Sequence, residues 1–331
     1  MNRKIKLIVV LLVMGIAISL NFLSLIQAYP EAQKIDSGCC APKGALLAKD
    51  FSAFYFGAWN LIHNTSQIYV KGSSVNASFL GIDPHPESFK YLPSFLILIL
   101  PFLLLNYNEA LRTFDAIQFA MLFLIAFLIY KLLERKNIAI MGIVSIIALL
   151  LPFTTNLSWG ISEAYFWQWA EGQDKVLDLA LILLAFYFGI KHRPVLSGIF
   201  FGLSFFDSRF FLVSIPLFLT LNKGSNKRAA STSLSIILLT NVPFLVFPGV
   251  FGGFLAVFVS EGVTTPLYPY SYITLLTILG LSLAKGREIV QLFSRRRNSK
   301  VETDPELRNK LFAQGPICLG LPDRLQRSIN A

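Results

Sequence analysis

Apolar residues along this chain come in long unbroken runs separated by short polar clusters, not in the alternating or one-faced patterns of water-soluble elements. The clearest runs, Leu7 to Ile26 and Phe114 to Leu133, approach the roughly 20 residues a helix needs to cross a bilayer. The pattern predicts a first span over Ile5 to Ile26, a long loop over Gln27 to Lys90, and a second span over Thr113 to Leu133. Between the loop and that span, Tyr91 to Leu105 is apolar but short and carries Pro93 and Pro101, which fits a juxtamembrane or re-entrant helix. Asn106 to Arg112 reads as a connection.

Further spans are predicted over Ile138 to Phe153, Val176 to Ile190 and Ser231 to Pro248, with a final one from Tyr272. Thr154 to Lys175 and Gly249 to Ser271 read as loops. Val195 to Phe206 and Phe210 to Leu221 are each about 12 residues, roughly 18 Å as helix, too short for a hydrocarbon core of about 30 Å. Together they predict a hairpin of half-helices whose tip carries Asp207-Ser208-Arg209. The fold class expected is all-α: a polytopic membrane protein, a helical bundle with about eight crossings, an extracytoplasmic first loop with juxtamembrane helices, and a half-helix hairpin.

Composition agrees. Of 331 residues 54% are hydrophobic and only 15% charged, with a mean hydropathy of +0.61, whereas a soluble surface of this size needs roughly a quarter charged residues. The N-terminal apolar run is longer than the roughly 7–15 residues of a cleaved signal's core, so it reads as an uncleaved signal-anchor.

Charge then orients the spans. The net +10 sits in short clusters between apolar runs: Arg3/Lys4/Lys6, Lys131/Arg135/Lys136, Lys191/Arg193, Lys223/Lys227/Arg228, and Lys285 through Arg295-Arg296-Arg297 to Lys300. That is the positive-inside distribution, not a nucleic-acid patch. It places both termini in the cytoplasm of a multi-pass protein of the cell membrane, or of the endoplasmic reticulum membrane in a eukaryote. The sequons Asn64-Thr65-Ser66, Asn76-Ala77-Ser78 and Asn156-Leu157-Ser158 all fall in segments so placed outside, making Asn64, Asn76 and Asn156 glycosylation candidates. Two regions follow: a membrane-embedded domain over 1–300, within which 27–112 is the outer loop with its juxtamembrane helices, and a polar tail over 301–331 with a disordered composition. Cys39, Cys40 and Cys318 form neither a disulfide framework nor a metal spacing.

Three places carry candidate chemistry. Asp50 opens an aromatic stretch, Phe51 to Ile62, that includes Tyr55 and Trp59. Aromatic side chains favour the membrane interface and also stack on sugar rings. Asp50 can equally be the N-cap of an interfacial helix. At the hairpin tip, Asp207 and Arg209 are costly charges between apolar half-helices, and Arg209 could hold a phosphate arriving from the lipid side; a self-paired Asp–Arg turn is the alternative. The segment with Trp159, Trp167, Trp169, Glu171, Gln173 and Asp174 suits sugar hydroxyls, or an aromatic belt. Lys90 and Arg112 flank the re-entrant segment at headgroup depth.

Asp50-Phe51 with Tyr55 and Ala58-Trp59-Asn60-Leu61, then Ile68-Tyr69, then Phe89-Lys90-Tyr91-Leu92-Pro93, resembles the N-terminal pattern of glycosyltransferase family 87. Glu171-Gly172-Gln173-Asp174-Lys175 resembles that family's Gly-Gln-x-Asn segment, with Lys175 where the pattern has Asn. Leu196 to Leu203 resembles the small-residue segment before its basic lipid-phosphate contact, here Arg209. The resemblance implies a GT-C fold and an inverting transfer of a hexose, mannose in this family, from a polyprenyl- or dolichyl-phosphate donor to a glycan or lipid acceptor on the extracytoplasmic side. It implies Asp50 as catalytic base and Arg209 as donor-phosphate ligand; the positions read above add Lys90 and Arg112 to the phosphate ligands and give Tyr55, Trp59, Trp169, Gln173 and Asp207 as substrate contacts. Membrane lipid is the remaining partner; no cofactor, metal or nucleic acid is expected. The rival readings are a small-molecule or lipid transporter or flippase built on the Asp207/Arg209 hairpin, and a non-catalytic membrane subunit of a glycan-assembly machine.

Overall fold

The structure, a computed structural model, describes residues 3–36, 49–70, 89–133, 138–154, 169, 172–257, 259 and 279. Among these, all regular elements are helical. The expected final span apart from Leu279, the Cys39–Cys40 pair and the tail over 301–331 lie outside the described residues, as do Asn76 and Asn156.

Eleven α-helices follow one another: α1 (Arg3–Asp36), α2 (Lys49–His63), α3 (Pro93–Ile99), α4 (Tyr107–Leu133), α5 (Ile138–Thr154), α6 (Lys175–Ile190), α7 (Pro194–Leu203), α8 (Ser208–Leu221), α9 (Asn226–Thr240), α10 (Val242–Val246) and α11 (Pro248–Val257). Two are long and apolar enough to cross a membrane, over Leu7–Gln27 in α1 and Tyr107–Leu133 in α4. Their outward faces are apolar as well: Leu12 is 61% exposed and Ile16 60%. A soluble fold hides such side chains, whereas lipid accepts them.

Two apolar cores hold the bundle together. The first joins α1, α4, α5, α6 and α8 through residues such as Val10, Leu122, Ile129, Val144, Ile182 and Phe218. Asn21 is fully buried in α1, and its amide donates to the Leu149 carbonyl of α5 at 3.2 Å, a polar tie between apolar helices. The second core is aromatic and packs α2 and α3 on the start of α4. Phe51 lies 5.1 Å from Phe114, Phe54 4.6 Å from Phe95, and Phe95 4.7 Å from Phe206 by ring centroids.

The half-helix hairpin is present as expected. α7 ends in a short 3-10 turn, Ser204–Phe206, and α8 starts at Ser208. α7 rests on α9 with almost no space between the backbones. A Cβ at Gly202 would lie 2.7 Å from the Ser233 carbonyl oxygen, and one at Gly198 would collide with the Ala229 carbonyl. Small residues four apart admit such an approach.

Four boundaries depart from the sequence reading. Asn106 to Arg112 is not a separate connection: the Asn106 side-chain oxygen accepts the Glu109 N–H at 3.0 Å, so α4 begins at Tyr107. Asp50 is not the cap of α2, because the helix already starts at Lys49 and Asp50 sits in its first turn. The run over Ser231 to Pro248 is broken at Asn241, which bonds back to Ile237 while α10 restarts on Val242-Pro243. The segment from Gly249 begins as helix, with α11 opening on Pro248, a residue whose fixed φ suits a first helical position.

Candidate functional site

The site forms where four pieces of chain meet: the start of α2, the segment 89–92 before α3, the start of α6, and the tip between α7 and α8. Local sequence explains each approach. The segment 89–92 is non-helical, and Pro93 holds its last residue, Leu92, extended at φ −72° and ψ 153°. It is fixed on both sides, by Tyr69 Oη donating to the Tyr91 carbonyl at 2.9 Å and by the Leu92 N–H donating to the Phe206 carbonyl at 3.4 Å. The entry to α6 turns at Gly172, whose φ of +64° suits glycine. That turn brings the chain against Phe51, so Asp174 and Lys175 arrive beside the start of α2.

At the centre stands Tyr91. Its hydroxyl donates to Asp174 Oδ1 at 3.0 Å and accepts from Lys175 Nζ at 3.4 Å, and the Lys175 ammonium also lies 5.6 Å from the centre of its ring. Lys175 Nζ is 3.2 Å from Asp174 Oδ1 and 3.5 Å from Asp207 Oδ2. Asp174, Lys175 and Asp207 are all buried, and Lys175 is the one buried Lys or Arg among the described residues. Buried charges persist only when paired, and here one ammonium is held by two carboxylates and a phenol. Asp50, half-buried, is close enough to act on the same phenol. Burial pushes the Tyr91 hydroxyl well above the ordinary phenol range. The Asp174 charge adds to that, Lys175 opposes it, and Asp50 and Asp207 raise it further. Tyr91 is therefore a neutral donor at any working pH.

The expected site residues fall into three groups. Asp50, Asp207 and the backbone of Gln173 and Asp174 are brought together around Tyr91 and Lys175. Asp207 reaches Lys175 of α6 at 3.5 Å. Tyr55 and Trp169 are packed inside: Tyr55 donates to the Leu105 carbonyl at 2.8 Å, and Trp169 is fully buried near Phe119. Trp59 is half-buried and lies 4.2 Å from the His63 ring. Lys90 and Arg112 are exposed, Lys90 next to Tyr91 in the chain and Arg112 in the first turns of α4. Arg209 is the second residue of α8, directly beyond the tip; its side chain lies outside the described atoms. Asn64 is exposed just after α2, and Ser66 Oγ donates to its side-chain oxygen at 2.7 Å.

Tyr91 and Lys175 are the residues the sequence did not single out as site members. The signal available was Lys175 replacing Asn in the Gly-Gln-x-Asn segment, a cation at a position that is otherwise neutral.

A helical membrane protein with buried acids gathered around a lysine and a tyrosine at its helix ends is the class of molecule these elements define. The chain belongs to glycosyltransferase family 87, whose family model matches residues 89–285, more than half its length. No curated protein and no solved structure matches it. Its family chemistry is thus glycosyl transfer, which involves a sugar donor and an acceptor. The matched segment contains Tyr91, Asp174, Lys175 and Asp207, while α2 with Asp50 precedes it.

Proposed function

We propose that this chain transfers a hexose, mannose by family resemblance, from a polyprenyl- or dolichyl-phosphate donor to a glycan or lipid acceptor on the extracytoplasmic face of the membrane. Both termini lie in the cytoplasm, residues 1–300 form the membrane-embedded transferase with its outer loop over 27–112, and 301–331 is a cytosolic tail. The observation that carries this reading is the cluster of Tyr91, Asp174, Lys175 and Asp207, which joins the hairpin tip to the start of α6, with Gly172 packed on Phe51, the residue after Asp50, beside it.

The chemistry follows from the groups present. The acceptor hydroxyl attacks the anomeric carbon from the face opposite the phosphate, inverting it. The bond from that carbon to the phosphate oxygen breaks, and the hydroxyl proton passes to the Asp50 carboxylate. Arg209, with Lys90 and Arg112 nearer the surface, neutralises the leaving lipid phosphate. Tyr91, held neutral, is a hydrogen-bond donor that keeps Asp174 in place. Gln173, half-buried beside the cluster, is a sugar contact. A donor whose phosphate rides in the bilayer needs no nucleotide-binding fold, and none is readable in the sequence.

The test is reconstitution of the full chain in liposomes with a polyprenyl-phosphate hexose and a lipid-extract acceptor. Release of polyprenyl phosphate together with hexose transfer is the expected result. An intact, folded protein that releases none with any hexose donor would contradict the proposal.

A further inference from the structure

The Lys175 ammonium is buried at the start of α6 and paired with two carboxylates. We propose that Lys175 is itself a ligand of the donor's phosphodiester, and that Asp207 holds its place until the donor arrives; this rests on the transferase reading above.

Three observations carry it. First, the two ion-pair contacts of Lys175 are unequal: Asp174 Oδ1 is at 3.2 Å and Asp207 Oδ2 at 3.5 Å. Asp174 is adjacent in the chain and also receives the Tyr91 hydroxyl, so it stays with Lys175 whatever happens at the tip. Asp207, by contrast, sits on a separate element, between a 3-10 turn and the start of α8. Second, removing a partner from a buried ion pair is strongly unfavourable unless another anion takes its place. A phosphodiester oxygen carries the same single charge as the carboxylate it displaces, so the exchange leaves Lys175 paired throughout. Third, Lys175 begins α6, and a helix N-terminus offers N–H groups and a partial positive charge to the same incoming anion. The ammonium and that helix end both stand at the start of an apolar helix, a place where a phosphate can stay while its chain remains in lipid.

The exchange also explains what Asp207 does in the absence of donor. It neutralises Lys175 and so ties the hairpin tip to the start of α6, beside the Leu92–Phe206 backbone bond that holds the tip to the segment 89–92. When phosphate takes Lys175, that tie is released, and the tip with the first turn of α8 is free to close over the donor.

The experiment measures binding of a polyprenyl-phosphate hexose, without acceptor, to the full chain in neutral-lipid nanodiscs, with inorganic phosphate as competitor. Asp207→Asn removes the competing charge but leaves Lys175 paired with Asp174. It is expected to tighten binding about threefold or more, and Lys175→Met to weaken it about tenfold or more. Millimolar inorganic phosphate is expected not to compete. A merely structural ion pair predicts that Asp207→Asn weakens binding or leaves it unchanged, and either result overturns the proposal even if Lys175→Met fails to fold. Equal displacement by inorganic phosphate overturns the lipid-linked assignment. Because no turnover is required, a wild-type chain that binds as described but transfers no hexose would sink the transferase reading alone.

Discussion

A Cβ placed on Gly172 would lie 2.7 Å from the Phe51 Cβ, and Gly172 holds a φ of +64°. This contact sets the start of α6 against the start of α2, and hence Asp174 and Lys175 beside Asp50. Gly172→Ala therefore meets two penalties at once: a left-handed backbone, about 1–2 kcal/mol, and overpacking of about 1–3 kcal/mol. A loss of about 2–5 kcal/mol is expected, read as a lower unfolding midpoint in detergent. Wild-type stability in that variant would mean that α2 and α6 are not held by this approach.

The glycines of the hairpin separate packing from propensity. Gly202→Ala pushes a methyl group towards the Ser233 carbonyl and is expected to cost about 1–3 kcal/mol. Gly252, also helical but with nothing within 4 Å of a new Cβ, should gain up to about 1 kcal/mol from the same change. Thermal unfolding of the two variants side by side checks both signs. Equal shifts in the same direction would deny the close α7–α9 contact.

Topology is tested by labelling in intact cells, on a background in which Cys39, Cys40 and Cys318 are replaced. Asn64 and Lys227 are both exposed in the structure, and the charge distribution puts them on opposite sides. Asn64→Cys should react with an impermeant maleimide at once, and Lys227→Cys only after permeabilisation. The reverse pattern would invert the protein and remove the extracytoplasmic reaction.

Tyr91 gives a pH dependence with a definite sign. The folded state keeps the phenol proton that the unfolded chain releases above about pH 10. Its stabilising contribution is fully present below that pH and is lost as pH rises through the alkaline range, because there the unfolded state binds fewer protons. Tyr91→Phe removes that term, so the fall in stability between about pH 10 and 11 should become shallower. The raised hydroxyls of Tyr55 and Tyr69 keep part of the slope. An unchanged slope would show that the Tyr91 hydroxyl is not buried among these acids.

How much of this was legible beforehand depends on the range of the interaction. The lengths of apolar runs placed α1, α4, α5 and α6, and the interruption at Asp207 to Arg209 placed the hairpin, since a span cannot absorb those charges cheaply. The start of α4 was readable too, because Asn106 followed three residues later by Glu109 is a capping signature, although loop-like polarity hid it. The break at Asn241 was signalled only by Pro243 within an otherwise apolar run. The site was half visible. Asp50 and Asp207 stood out as isolated acids in apolar surroundings. Tyr91 and Lys175 did not, because an aromatic beside proline and a lysine at a helix start are both ordinary interfacial residues. Only their meeting, across 84 residues of chain, turns them into a hydrogen-bonded pair. Trp169 misled for the complementary reason: nothing local distinguishes a tryptophan that stacks on sugar from one packed against Phe119.

The central claim is that Asp50 takes the acceptor's proton, and Asp50→Asn tests it most directly. Asn matches Asp in size and suits the first turn of α2 without the charge, so insertion, folding and donor binding should be close to wild type. A general base contributes about 10² to 10⁴ in rate. Hexose transfer from the polyprenyl-phosphate donor should fall by that factor in Asp50→Asn while polyprenyl-phosphate binding is retained. Transfer at the wild-type rate by the Asn variant would contradict the account and leave Asp50 a residue of the α2 helix end alone.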